Sequence, residues 1–462
     1  MKKIVAWLAA GLLMITFLSF QNVQVIQAEE NQPYNQPYNQ PAEQSAASLK
    51  SLKLFAGNNN GFDLYRTATR TEGAVMLVRL LGKENLAKGK PGFHPFLDVP
   101  KWASGYVGLL YQSGLSKGIG AQSFGSTEAL SGRQFGSFIL RALGYAKEGT
   151  DIYRDAISTM INIGIISSTG SVATYPDEPL MRSDMVMMSE KALSMKIGNS
   201  NRTLLDFLVI SGQSPAEEAG KWLASKLAPE ITAGLTDPYD KVLQLHNWII
   251  NSNTYGFLPA AVDPTKLLSG EGYSTLSLGT GVCGAYSEAM DMLCEAVQVP
   301  CIVISGKANG TNGWIGHAWN QVQLYGQWYH MDVTFDDPLG ATTTLRHNYF
   351  NVTDTAIAND HQWDRSLYQV CTATEANYFI RNGQVVSSYG EFQQSILKIV
   401  EDRGTELVLR VQPYNATLYN EKTIREILVG SKVVSGYTHS LDHVMGIVKL
   451  TNIHYFGDIT GS

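Results

Sequence analysis

Residues 50–196 repeat a pattern, and that repetition constrains the first half of the chain more than any other feature. The middle unit starts at Phe96-Leu97-Asp98-Val99 and passes through Trp102-Ala103 and the apolar Val107, Leu109 and Leu110. It continues through Gly114-Leu115 and Lys117-Gly118 to Phe124 and Leu130-Ser131-Gly132-Arg133, and the helical run 138–144 closes it. The last unit runs from Tyr153-Arg154-Asp155 through Gly164-Ile165 to Leu180-Met181-Arg182-Ser183-Asp184 and another helix. Half a unit precedes both, with Thr69-Arg70-Thr71-Glu72 leading the run from Val75 to Gly82. Each full unit reads as helix, glycine-marked loop and Arg-led helix. The repetition is weak, but it bears on architecture.

The flanks of the repeats differ in kind. Lys2 and Lys3 precede an apolar run from Ile4 to Phe20, and a polar stretch ends in Ile26-Gln27-Ala28. That is the order of a secretory signal cleaved after Ala28. An uncleaved anchor is the competing reading, because the run nearly reaches the ~18 residues of a spanning helix. No later run is long and apolar enough to span a membrane. Residues 29–49 read as an extended linker, with Gln-Pro-Tyr-Asn at 32–35 and again at 36–39. The chain of 462 residues is 44% hydrophobic and 16% charged, so it can bury ordinary cores. Its formal net charge of -6 and its scattered Lys83, Lys88 and Lys90 argue against a nucleic-acid partner, which needs concentrated cations. The four cysteines, Cys283, Cys294, Cys301 and Cys371, could pair as two disulfides in an exported protein, but in a chain this long they do not look like a disulfide framework, and they lack a C-x-x-C pair for structural zinc. No metal and no cofactor is expected.

Residues 197–235 read as a helical connector. From Asp237, a capped amphipathic helix reaches Ile250, and Tyr255 follows. Gly279-Thr280-Gly281-Val282-Cys283-Gly284 then leads into a helix with Ala285, Ala289, Met292, Leu293 and Ala296 on one face. Cys283 therefore sits at a helix start, where unpaired N–H groups and the helix dipole favour a thiolate and an oxyanion. Cys294 and Cys301 fit buried packing roles instead. His317, in Gly316-His317-Ala318-Trp319-Asn320, opens a strand to Leu324, and residues 327–334 read as the returning strand. If Tyr325-Gly326 is a two-residue loop, Leu324 pairs with Gln327 and His317 faces Thr334. Asp332 then lies diagonal to His317 on the same face, close enough for an imidazole and a carboxylate to meet. An odd-length loop would turn Asp332 away. Asp336 is the runner-up carboxylate. Tyr255 and Tyr273 read as core residues with a lesser claim to be oxyanion donors, and His330 as a packed residue. From 383 onward, strand and helix alternate in a small α/β appendage, with strands at 385–386, 406–411 and 443–451.

Two resemblances sharpen this picture. The order helix, Gly-Val-Cys, helix, strand, Gly-His-Ala-Trp-Asn, hairpin, Trp-Tyr-His-x-Asp-Val-Thr resembles the bacterial transglutaminase-like superfamily, a papain-related α+β fold, over residues 236–382. The resemblance implies Cys283 as nucleophile, His317 as general base and acid, and Asp332 as orienter of the imidazole. Ala285 stands where a Gly is common, and Phe335 replaces the usual Trp. Residues 50–196 resemble S-layer homology repeats, which implies binding to an anionic secondary cell-wall polymer. The Thr-Arg-x-Glu element of that family survives as Thr69, Arg70 and Glu72; the later units keep Arg133 and Arg182, with Gly132 and Phe135, then Asp184, as departures. Together they imply a secreted, cell-wall-associated thiol enzyme acting on amide bonds of a peptide or protein, with hydrolysis preferred. Cross-linking of amines and a non-catalytic wall-binding module stay open.

Overall fold

The computed structural model describes residues 39–58, 61–145, 151–263, 267–310, 313–337 and 345–457. The expected signal segment and most of the expected linker lie outside these residues. The end of the linker does not fit its description: Gln40–Ser51 forms helix α1, with Ala42, Ala46 and Leu49 wholly buried. Pro41 falls in the first turn, where a helix tolerates a missing N–H, and the three apolar residues make one stripe.

Residues 50–196 fold as helices joined by loops, with single bridges and no longer strand among the described residues. Three Arg-bearing helices, α2 (Arg70–Leu80), α3 (Gly132–Ala142) and α4 (Arg182–Leu193), each follow a short extended segment. Those segments pair cyclically through single bridges, Thr69 with Ala129, Ser131 with Pro179, and Met181 with Thr67. The ring closes the three helix starts around one axis and joins units distant in sequence. Thr69 with Glu72 and Ser131 with Gln134 form capping boxes, which satisfy orphan N–H groups at two of the three starts. Phe124, Leu130, Phe135, Ile139 and Val186 fill the shared core.

The expected connector is shared between two cores: Leu204, Leu205, Leu208, Val209, Ala219 and Trp222 join the first, and Ala224 and Ala228 the next. Helix α5 (Ala216–Ile231) buries Ala224 and Ala228 with α6 (Pro238–Ser252), whose Asp237 side chain caps its start. Strands β1 (Thr254–Tyr255) and β2 (Thr280–Gly281) pair in parallel just before helix α7 (Cys283–Ala296). Strands β3 (Cys301–Gly310), β4 (Gly313–Leu324), β5 (Gln327–Met331) and β6 (His361–Gln362) form an antiparallel sheet in the order β5-β4-β3-β6. Tyr286, Met290 and Leu293 of α7 pack with Val322, Leu324 and Met331 of that sheet.

The β4–β5 turn is a two-residue loop, the case on which the diagonal argument depended. Leu324 pairs with Gln327, and Tyr325 and Gly326 have φ of 53° and 79°, the signature of a type I′ turn. The returning strand ends sooner than expected. It stops at Met331, and Val333–Asp336 is a short helix capped by the Asp332 side chain.

The C-terminal unit is a four-stranded sheet, β7 (Val385–Val386), β8 (Leu407–Val411), β9 (Val434–Asp442) and β10 (Ile447–Tyr455), in the order β7-β8-β10-β9. Tyr389–Glu401 and Glu421–Gly430 cover one face through Phe392, Ile396, Ile424 and Leu428. The expected strand at 443–451 begins instead at Ile447, and the strand at 434–442 is new to the account. The polar Ser435, Thr438, His439 and Ser440 hid its alternation. Among the described residues no helix is long and apolar enough to cross a membrane.

Gly326 holds a left-handed conformation that a side chain disfavours. Gly326→Ala is expected to cost about 1 kcal/mol, read as a lower urea midpoint with an unchanged slope.

Candidate active site

Cys283 is the first residue of α7, and Val282 before it is extended. The first intrahelical bond runs from the Tyr286 N–H to the Val282 carbonyl at 3.1 Å, so the N–H groups of 283–285 have no partner within the helix. The β1–β2 pair places Tyr255 opposite Gly281, two residues before the cysteine. The Tyr255 hydroxyl accepts the Cys283 backbone N–H and hydrogen-bonds its thiol. Tyr255 is therefore at the Cys283 sulfur rather than simply in the core.

His317 lies on β4, buried, and hydrogen-bonds Cys283. Its Nε2 meets Asp332 Oδ2 at 2.7 Å, which leaves Nδ1 for the sulfur. Asp332 is wholly buried. Its Oδ1 accepts the Phe335 N–H at 3.0 Å, and its Oδ2 also accepts from His361 Nε2 at 2.9 Å. His361, on β6 beside Ala308, bonds Asp360 Oδ1 through Nδ1 at 2.7 Å, and Asp360 Oδ2 accepts the Tyr349 hydroxyl at 2.5 Å. The chain of contacts thus runs from Cys283 through His317, Asp332, His361 and Asp360 to Tyr349. Phe335 packs on His317 with ring centroids 4.9 Å apart and shields the pair from water.

The electrostatics follow from these contacts. Burial alone would raise the Cys283 thiol; the His317 imidazole and the N–H groups of Ala318 and Gly284 outweigh it and hold the thiol below its ordinary value. Burial alone would lower His317, but the Asp332 carboxylate outweighs it and lifts the imidazole to about 10. Asp332 is buried, yet the two imidazoles hold it well below the carboxylate range. The combination favours a thiolate–imidazolium pair at neutral pH.

Residues 225–333 match the profile of the transglutaminase-like superfamily. The chain carries a transglutaminase-like domain. A cell surface protein of Thermoanaerobacter kivui is 37% identical over 87 residues, which are 18% of this chain and 11% of that protein. Kyphoscoliosis peptidase of Mus musculus is 28% identical over 102 residues, 19% of this chain and 15% of that protein. The chain thus spans only a small part of the curated relatives it matches. A solved structure described as a TGase is 18% identical over 32% of this chain and 37% of that one, with a TM-score of 0.23.

Within the transglutaminase-like domain, the other expected residues take distinct places. Asp336 is wholly buried and bonds His246 at 3.1 Å and the Tyr349 N–H at 3.1 Å, away from His317. His330 accepts the Trp319 indole N–H at 3.1 Å and meets Asp354 at 2.8 Å, a packing role. Tyr273 donates to Asp206 at 2.8 Å and ties this domain to the helix before it. All four cysteines are free, and Cys294 and Cys301 hydrogen-bond each other. His361 carried no sequence signal toward Asp332, because only the fold brings β6 beside β3. Ligand atoms of His317, Asp332 and His361 lie within 4.8 Å of one another, so a divalent ion bound there would replace the hydrogen bonds from both imidazoles to Asp332.

In the repeat region the arginines separate into two kinds. Arg182 pairs with Glu72 and donates to the Phe62 carbonyl, and Glu72 also holds Arg66 at 2.6 Å. Arg133 pairs with Asp177 at 2.7 Å. Arg70 is different. Among the described residues it has no ion pair, its Nε is buried without a partner, and its contacts are Ser116 at 3.4 Å and the faces of Phe124 and Phe138. It lines a cavity of about 360 Å³ with Arg141, Gln134 and Tyr153.

Asp332→Asn removes the charge that orients and protonates His317, and turnover is expected to fall ~10²–10⁴-fold. His361→Ala removes one charged hydrogen bond to Asp332, and about a 10–100-fold loss is expected. Steady-state kinetics of both variants, with circular dichroism to establish folding, checks the order.

Proposed function

We propose that the chain is a cell-surface thiol enzyme that cleaves amide bonds of peptides or proteins through Cys283, His317 and Asp332. The observation that carries the reading is the unbroken contact from a helix-start thiol to a buried imidazole and a buried carboxylate. The thiolate attacks the amide carbonyl carbon, and the electron pair moves onto oxygen. The Tyr255 hydroxyl, which lies beside the Cys283 N–H and thiol, is the donor we assign to that oxyanion. The intermediate collapses, the C–N bond breaks, and His317 gives its proton to the leaving amine. Water, deprotonated by His317, then attacks the thioester and releases the acid and the thiolate.

Exposed apolar groups flank the site and suit a polypeptide substrate. Phe257 lies two residues after Tyr255, and Trp314 and Ile315 lie just before His317 on β4. Hydrolysis is preferred to amine transfer because one relative is named a peptidase. Residues 50–196 anchor the enzyme to an anionic wall polymer. Arg70, with Arg141 beside it, is the contact, since Arg133 and Arg182 already hold carboxylates.

Incubation with wall peptides and a mixture of amines, read by mass spectrometry, tests the reading. Cleaved acids that vanish with Cys283→Ala are expected, and amine adducts in their place would reverse the choice of acceptor. Tyr255→Phe is expected to lower kcat about 10–100-fold with little change in KM. Arg70→Ala is expected to weaken binding to purified walls, whereas Arg133→Ala leaves it nearly intact.

A further inference from the structure

The C-terminal sheet carries a charge that no group in the fold answers. Leu409 and Val411 of β8 point into the core beneath the two C-terminal helices. Val408 and Arg410 alternate to the other face, where Val408, Val385 and Ile447 pack against Tyr349, Phe379 and Ile304 of the transglutaminase-like domain. Arg410 is only 8% exposed. Among the described residues its guanidinium has no ion pair and no hydrogen bond.

The nearest carboxylate is already committed. Asp442 Oδ1 accepts the N–H groups of Val444 and Met445, both at 2.9 Å, and Oδ2 accepts Asn348 Nδ2 at 2.7 Å. Its field reaches Arg410, but burial dominates and pushes the guanidinium below its ordinary value. No side chain of the fold satisfies this guanidinium, which is left facing the cavity, where an anionic partner would bind it more strongly than water does.

The space for such a group is present. Arg410 lines a cavity of about 370 Å³ between the sheet and the segment 351–359, with Thr353, Thr355, Asn359 and Tyr414 around it. Arg410 is the one charged residue among those lining it. Asn351, also in the wall, is wholly buried and donates Nδ2 to the Ala376 carbonyl at 3.0 Å, while its Oδ1 has no partner. Its backbone has a φ of 56°, a conformation that asparagine tolerates better than most residues.

We propose that this cavity is a binding site for a small monocarboxylate, received by Arg410 between the catalytic domain and the C-terminal sheet. A planar carboxylate matches the guanidinium fork and cancels its single charge. A phosphate dianion would leave a buried net negative charge in a cavity with no second cation. The hydroxyl and amide side chains around it suit a polar body of one or two amino-acid residues. The site is separate from Cys283 and does not rest on the reaction proposed there.

Calorimetric titration of the full chain with N-acetyl-L-alanine, D-glucuronate, inorganic phosphate and the neutral N-acetyl-L-alaninamide tests the site. All arms use the Cys283→Ala background, so that the amide is not turned over. Saturable binding of a carboxylate is expected, at least tenfold weaker after Arg410→Met and absent for the amide. Thr355→Trp, at the exposed rim of the cavity, is expected to block binding without touching the core, and it serves if Arg410→Met does not fold. No saturable carboxylate, equal binding of the amide, or binding indifferent to both substitutions overturns the proposal. Phosphate binding tighter than either carboxylate overturns the ligand assignment.

Discussion

Asp332 Oδ2 holds two imidazoles, and the geometry of the candidate site depends on that oxygen. His317 reaches it at 2.7 Å and His361 at 2.9 Å, from strands on opposite sides of β3. The other oxygen caps a short helix. Both oxygens are therefore fixed by donors that belong to three separate elements. Such a carboxylate has little freedom to turn, and the imidazole it orients keeps one nitrogen aimed at Cys283. The thiol in turn sits where helix N–H groups favour its anion. Orientation and charge come from the same few contacts.

Part of this was legible in the sequence, for definite physical reasons. Glycines before Cys283 and apolar spacing after it require a helix start at the cysteine. Tyr325-Gly326 signals a turn, and a two-residue loop there sets the register of the hairpin; the sequence left the loop length open. The diagonal argument brought Asp332 to His317 by a route the chain does not take. The strand ends at Met331, and Asp332 reaches the imidazole as a helix cap. His361 and Asp360 were beyond local pattern, and Tyr255 could not be told from Tyr273 as a donor, since these groups arrive through pairings between distant strands.

The repeat region and the C-terminal unit show the same division between local and non-local information. Helices with arginine at their starts follow from periodicity and capping residues. Which arginine stays unpaired does not follow, because Glu72 and Asp177 choose Arg182 and Arg133 through tertiary contacts. In the C-terminal sheet, alternation places Arg410 opposite its apolar neighbours, and only the packing of that face makes it a buried cation. Charges left unanswered by side chains of their own fold carry both binding proposals, the wall polymer at Arg70 and the carboxylate at Arg410.

The central claim is that Cys283 rests as a thiolate because His317 and Asp332 hold it so. The most direct measurement is the rate of Cys283 alkylation by iodoacetamide against pH, followed by peptide mapping in the folded protein. The account predicts a rate that is already high at neutral pH and has its inflection well below the ~8.5 of an ordinary cysteine. A rate that climbs only near that ordinary value, no faster at pH 7 than that of an unperturbed thiol, would contradict it.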